Sequence, residues 1–219
     1  MRTLDMKMHG TSGTLITFCG LDGCGKSTLI ARLYEYLVAR GYDVILTKQP
    51  TPAMRKSRIF RGYMDTSEHA SLEYRALSLA AAADRLQHSK ELIMPALEEG
   101  KVVISDRYFY SCLANLRARG YGSDGWIYEV ARHIPSPDLA FFLDVPTEVA
   151  VARVRERPEE RERYIDMPLQ YCLRVEYLDI CRSNAGICVS SGADAESAFE
   201  IIKYNVDKYL EDKNARHKK

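Results

Sequence analysis

Residues 14–28, TLITFCGLDGCGKST, decide the fold. Thr14 to Cys19 is β-branched, aromatic and apolar without alternation, the pattern of a strand buried on both faces. It runs into Gly20-Leu21-Asp22-Gly23-Cys24-Gly25-Lys26-Ser27, which satisfies G-x-x-x-x-G-K-[ST], and then into a helical pattern from Lys26 to Arg40 that stops at Gly41. Glycines let such a loop curl so that successive N–H groups point inward at phosphate oxygens. The positive end of the following helix strengthens that field. Gly20, Gly23, Cys24, Gly25, Lys26, Ser27 and Thr28 are therefore the candidate triphosphate-binding residues. Lys26 would reach the β- and γ-phosphates, and the Ser27 hydroxyl would ligate Mg²⁺.

Outward from this stretch, short apolar runs alternate with longer helical ones. Strands are predicted at 43–47, 102–105, 139–144 and 187–190, and a long helix at 71–99, with a break near Pro95 and a stop at Gly100. A last helix covers 195–210. Strand–helix alternation with continuously apolar strands implies an α/β domain with a doubly wound parallel sheet, whose ligands bind at the carboxyl ends of the strands. Lys48 follows the second strand and Asp106 the third, so both fall at that edge. No repeat or linker divides the chain, and 1–219 reads as one domain with 1–12 and 212–219 as frayed ends.

The 219 residues are 46% hydrophobic and 28% charged with a net charge of +1, so nothing in the composition points to a bulk electrostatic partner such as nucleic acid or an acidic membrane surface. No run could span a bilayer and the N-terminus lacks the apolar core of a signal peptide, so a cytoplasmic location is expected. Six cysteines, at 19, 24, 112, 172, 181 and 188, form no Cys-x-x-Cys pair and read as reduced thiols, with Cys19 and Cys188 as small core residues.

Two further stretches carry chemistry. Asp106-Arg107-Tyr108 follows the strand VVIS, where a carboxylate can hold Mg²⁺ through water and an arginine can clamp a phosphate bidentately. Arg153 to Tyr164 (RVRERPEERERY) alternates charges as a solvated helix face does, and Arg153 and Arg157 fit that reading. Pro158 interrupts the helix and leaves Arg161 and Arg163 on a loop, a candidate lid over 155–166. Phosphoryl transfer needs cations over the migrating group and exclusion of water. The phosphate loop carries no arginine of its own, so the lid arginines are the candidates for that charge. No Asn-Lys-x-Asp guanine reader is present, which disfavours a GTPase switch.

FCGLDGCGKSTL, TKQP, AAADRLQHSKELIMPALEEGKVVISDRYFYS, PDLAFFLDVPTEVAVARVRER and the RERY lid together resemble the thymidylate kinase family along nearly the whole chain. The resemblance implies a five-stranded parallel sheet in the order 2-3-1-4-5 with helices on both faces, transfer of the ATP γ-phosphoryl group to a nucleoside monophosphate with dTMP as the default, Mg²⁺, and a homodimer. It implies catalytic roles for Lys26, Arg107, Arg155, Arg161 and Arg163, acceptor contacts from Asp22, Lys48, Arg85, Arg107 and Tyr108, metal contacts from Ser27 and Asp106, and a position near the adenine for Ser190 to Gly192. The acceptor side departs from the family. Lys48-Gln49 stands where Arg-Glu is usual, Ala81 where an aromatic stacks on thymine, and Asn115-Leu116 where Tyr-Gln follows the Asp-Arg motif. Relaxed thymine selectivity is the expectation from these changes. The readings left open are a same-fold kinase for another nucleotide or nucleoside, and a nucleotide-binding regulator without turnover.

Overall fold

The structure, a computed structural model, describes residues 2–64, 73–192 and 194–217. Five strands, β1 (Thr14–Cys19), β2 (Val44–Lys48), β3 (Val102–Asp106), β4 (Leu139–Asp144) and β5 (Ile187–Ser190), form one sheet in the order β2-β3-β1-β4-β5. Every pairing is parallel, so class and strand order agree with the sequence reading. The central strand β1 is buried along its whole length, as its unbroken apolar run requires. Phe18 on β1 stacks on Phe141 of β4 with ring centroids 5.2 Å apart, and each such ring contributes about 1.5–3 kcal/mol by leaving water. The register sets Phe18 and Lys48 both opposite Asp106, which brings the ends of three strands to one edge.

Ten α-helices cover the sheet among the described residues: α1 (Lys26–Ala39), α2 (Pro52–Lys56), α3 (Arg58–Met64), α4 (Tyr74–His88), α5 (Met94–Glu98), α6 (Phe109–Ala118), α7 (Trp126–Ala131), α8 (Thr147–Arg155), α9 (Met167–Ser183) and α10 (Ala195–His217). The helix expected over 71–99 is continuous from Tyr74 but contains a π turn at Ser89–Ile93, and its first two residues lie outside the described residues. Pro95 cannot donate to the carbonyl four residues back and its ring crowds that carbonyl, so the chain takes an extra residue just before it rather than ending. Gly100 closes the segment with φ +80°.

Three expectations need correction. Residues 2–12 run over the surface but are anchored rather than frayed: Lys7 exchanges backbone hydrogen bonds with Ile134 and Ser136, the Leu4 N–H donates to Asn184 Oδ1, and the His9 ring pairs with Asp138 at 2.9 Å. At the other end α10 continues to His217, and Lys213 donates to the Gly13 carbonyl; Met1 and residues 218–219 lie outside the described residues. Cys188 is exposed on β5, an edge strand of the sheet, with the neighbouring Val189 facing the core instead. Among the described residues no helix is long and apolar enough to cross a membrane.

Candidate active site

A cleft of about 360 Å³ opens at the carboxyl edge of the sheet, between the phosphate loop, α2–α3, α4, α6, the lid and α9. At one end lies the turn that leads into α1. Gly25 caps α1 with φ +91° and ψ 7°, no side chain caps the helix and no acid occupies its first turn. The donors at this helix start are left for an anion. Gly20 and Gly23 also have positive φ and are closely packed: a Cβ on Gly23 would stand 2.0 Å from the Ala150 carbonyl oxygen of α8. The loop therefore rests directly on the helix that leads into the lid.

Lys26 is buried, and its Nζ donates to the carbonyls of Gly20 (3.1 Å) and Leu21 (2.6 Å) and lies 3.4 Å from Cys24 Sγ. Ser27 and Thr28 are exposed on the first turn of α1, whereas Cys24 is only 1% exposed. Ser191 donates from Oγ to the Cys24 carbonyl at 2.7 Å, and Arg153 holds the carbonyls of Ser191 and Gly192. Arg153 is thus partly buried and bound rather than a solvated charge, and it seats the 190–192 loop beside the phosphate loop.

Asp22 is the electrostatic centre of the cleft. Arg107 donates to one carboxylate oxygen and Arg163 approaches the other at 3.5 Å. The Arg107 guanidinium holds the Asp22 carboxyl far below the usual carboxylate range against the opposing effect of burial, and Lys26 and Arg163 add to it. Burial alone would ease the proton off Arg107, but Asp22 more than reverses this and keeps the guanidinium charged. Arg107 itself has φ +68°, a left-handed conformation that costs a non-glycine residue about 1–2 kcal/mol. Its N–H bonds the Phe18 carbonyl at 2.8 Å and its carbonyl accepts from Ser105 Oγ at 2.7 Å, which hold the strained turn in place. Tyr177 on α9 accepts from Arg107 at 3.3 Å and donates to Ser111 at 3.1 Å. Burial pushes Tyr177 up to about 12, so it stays a neutral phenol.

Lys48 pairs with Asp106 Oδ2 at 2.8 Å, while the buried Asp106 Oδ1 has no partner among the described residues. That unpartnered carboxylate oxygen at the end of β3, at the same carboxyl edge of the sheet as the phosphate loop, suits a hard cation. Among the described residues no three His, Cys, Asp or Glu cluster as a metal set, so an ion here would take few protein ligands, the usual manner of Mg²⁺ beside phosphates. Gln49, in the family's glutamate position, is fully buried and its Nε2 lies 3.1 Å from His88 Nδ1. The Asp84 carboxylate of α4 binds Thr51 N at 2.9 Å and so anchors the turn after β2.

The structure brings Asp22, Lys48, Arg85, Arg107 and Arg163 to this one cleft. Arg155 instead donates to the Arg161 carbonyl within the lid, and the Arg161 side chain is exposed. Tyr108 is a correction: it is fully buried, with its hydroxyl donating to the Pro135 carbonyl at 2.6 Å, so it belongs to the core. Beside Arg107's strained turn its ring points down into the sheet layer, and Tyr177 from α9 is the tyrosine that meets the arginine. Sequence reasoning also missed Arg55 and Arg119. Arg55 lies one turn into a helix at the strand edge, and Arg119 is four residues after Asn115 on the same helical face, a spacing that places the two together.

A parallel sheet in this order, with a glycine-rich phosphate loop after β1 and an arginine-bearing lid over the same edge, defines a P-loop phosphotransferase. The thymidylate kinase family model matches residues 18–202. Curated relatives include a probable thymidylate kinase of Pyrococcus horikoshii, 41% identical over 77% of this chain and 82% of that protein, and one of Thermococcus gammatolerans, 39% identical over 89% and 94%. A thymidylate kinase of Oceanobacillus iheyensis is 36% identical over 71% of this chain and 70% of its own. The chain belongs to the thymidylate kinase family.

Proposed function

We propose that this protein transfers the γ-phosphoryl group of ATP to dTMP. The observation that carries the reading is that one cleft runs from the phosphate loop through the Arg107–Asp22–Arg163 cluster to the buried Arg85, so that a donor phosphate and an acceptor base fit end to end. The ATP phosphates would take the loop N–H groups and draw the Lys26 ammonium off the Gly20 and Leu21 carbonyls. Mg²⁺, held by Ser27 and the open oxygen of Asp106, would offset charge on the β- and γ-phosphates.

Arg107 would grip the acceptor phosphate, with Lys48 close by as a point charge. Asp22 aims both guanidinium groups and keeps them from wandering in the cleft before phosphate arrives. Arg163 would share its charge with the migrating group, and closure of the lid would bring Arg155 and Arg161 toward it while expelling water. Arg85 has an unpartnered buried Nε for the base, with its Nη1 already fixed on the Ala81 carbonyl at 2.8 Å. We place the protein in the cytoplasm as a homodimer; the exposed Leu79 and Leu86 on α4 and Val175 on α9 provide apolar surface for association.

Coupled measurement of ADP release with dTMP, dUMP, dCMP, UMP and dGMP tests the reading. Turnover is expected with dTMP, and Lys26→Ala should lower kcat by about 10²-fold or more while the fold survives. A wild-type protein that turns over no monophosphate, or a Lys26→Ala variant of near-normal rate, would refute it.

A further inference from the structure

Position 81, the usual stacking position, holds an alanine that lines the cleft, yet the pocket there is not bare. Tyr63 of α3 and Tyr74 of α4 meet edge to face at 5.2 Å, and the Arg119 guanidinium lies over the Tyr74 ring at 4.1 Å. Arg119 ends α6, where its Nε donates to the Tyr63 hydroxyl at 2.8 Å and its Nη1 to Asn115 Oδ1 at 2.8 Å. Asn115 is oriented in turn by donating to the Ser111 carbonyl at 2.9 Å. Asn115 stands where the family's tyrosine is usual, and here it positions a guanidinium instead.

All these partners of Arg119 are neutral, and no carboxylate of the described residues pairs with it. Arg107, Arg75 and Arg117, by contrast, each meet an aspartate. The same pocket holds two buried polar groups without partners among the described residues, Arg85 Nε and Ser78 Oγ. A guanidinium has donors only. The two guanidinium groups, Arg85 and Arg119, thus give the cleft wall a surplus of hydrogen-bond donors on a preformed, aromatic-backed support, with the Ser78 hydroxyl able to donate or accept beside them.

Given the reading that this cleft takes the acceptor, we propose that Arg119, held by Asn115 and stacked on Tyr74, is a specificity-determining residue that selects bases presenting carbonyl oxygens over bases presenting an exocyclic amine. A pyrimidine-2,4-dione offers acceptors to these donors. A 4-amino pyrimidine sets an N–H against them and leaves buried donors unmatched, which sites of this kind penalise heavily. The guanidinium plane also offers a flat surface for a base, a role that arginine shares with aromatic rings. Arg119 is the contact residue in this scheme and Asn115 the positioning residue.

Steady-state kinetics with dTMP and dCMP on the wild type, Arg119→Ala, Arg119→Lys and Asn115→Ala test it. Arg119→Ala should raise the KM for dTMP about 10- to 100-fold and narrow the dTMP:dCMP ratio of kcat/KM by about tenfold, the worth of a charged hydrogen bond. The KM for ATP should stay within about twofold. Arg119→Lys should not restore the ratio, since lysine keeps charge but loses the planar fork. Asn115→Ala should shift the dTMP KM the same way by less, and it carries the test should Arg119→Ala fail to fold. An active wild type whose folded variants keep its dTMP KM and its selectivity, or in which the ATP KM rises in parallel, overturns the role of Arg119 alone. A wild type inactive on both nucleotides overturns the acceptor reading and this inference with it.

Discussion

Replacing Gly23 by alanine probes whether the phosphate loop and the lid helix are one packed unit. A Cβ at this position would lie 2.0 Å from the Ala150 carbonyl oxygen and 2.9 Å from the carbonyl carbon, whereas contacts under 3.0 Å essentially never occur. Ala150 is 1% exposed in the middle of α8, so its carbonyl cannot turn aside and loop and helix must part by about 1 Å. Overpacking of this kind costs about 1–3 kcal/mol. The φ of +84° adds about 1–2 kcal/mol for a residue with a side chain. Together these predict a loss of about 2–5 kcal/mol in urea unfolding. Displacement of the phosphate-binding N–H groups by about 1 Å should lower kcat/KM for ATP by about 10²-fold. Gly25→Ala is the control. Its φ is +91° but nothing lies within 4 Å of the new methyl, so only the backbone cost of about 1–2 kcal/mol applies. If Gly23→Ala is no less stable than Gly25→Ala and keeps wild-type kcat/KM for ATP, the loop does not bear on α8 as described.

Thiol accessibility gives a second prediction: Cys172 and Cys188 should be alkylated first under limiting reagent, and the buried Cys24 slowly, by mass spectrometry; faster labelling at Cys24 would show a loop more open than this packing allows. A third concerns His88, whose ring lies between Thr47 Oγ1 at 2.9 Å and Gln49 Nε2 at 3.1 Å and whose pKa is lowered by burial. Because the folded pKa is depressed, the unfolded chain takes up the proton first, so the contribution of His88 is full above about pH 6.5 and declines as pH falls below it. The stability difference between wild type and His88→Asn should therefore shrink from pH 7.5 to pH 5.5 in urea titrations, and a constant difference would contradict the buried neutral ring.

The phosphate cradle and the strand order were legible in sequence for different reasons. The turn from Gly20 to Ser27 is local: a strand, three glycines and a helix start determine its shape within a dozen residues. The strands are legible because burial on both faces demands unbroken apolar runs, and the order 2-3-1-4-5 came from resemblance along the whole chain rather than from periodicity. The π turn before Pro95 was visible only as a disturbance, since either a break or an inserted residue relieves the same clash.

What tertiary structure alone decided is which way side chains face once elements meet. Tyr108 and Arg107 are neighbours in a motif, yet a single left-handed residue sends the tyrosine into the core and the arginine into the cleft. Arg161 and Arg163 have the same surroundings in sequence, and only Arg163 reaches Asp22, because the bend of the lid turns one outward and one inward. Cys188 sits in an apolar run but is exposed on an edge strand, while its neighbour Val189 is fully buried. Arg119 acquires its place from Tyr63 and Tyr74, 56 and 45 residues earlier in the chain. Sequence spacing encodes contacts within a turn or along one helical face. The meeting of distant faces is set by packing of the whole core, and the acceptor side of this cleft is built from such meetings.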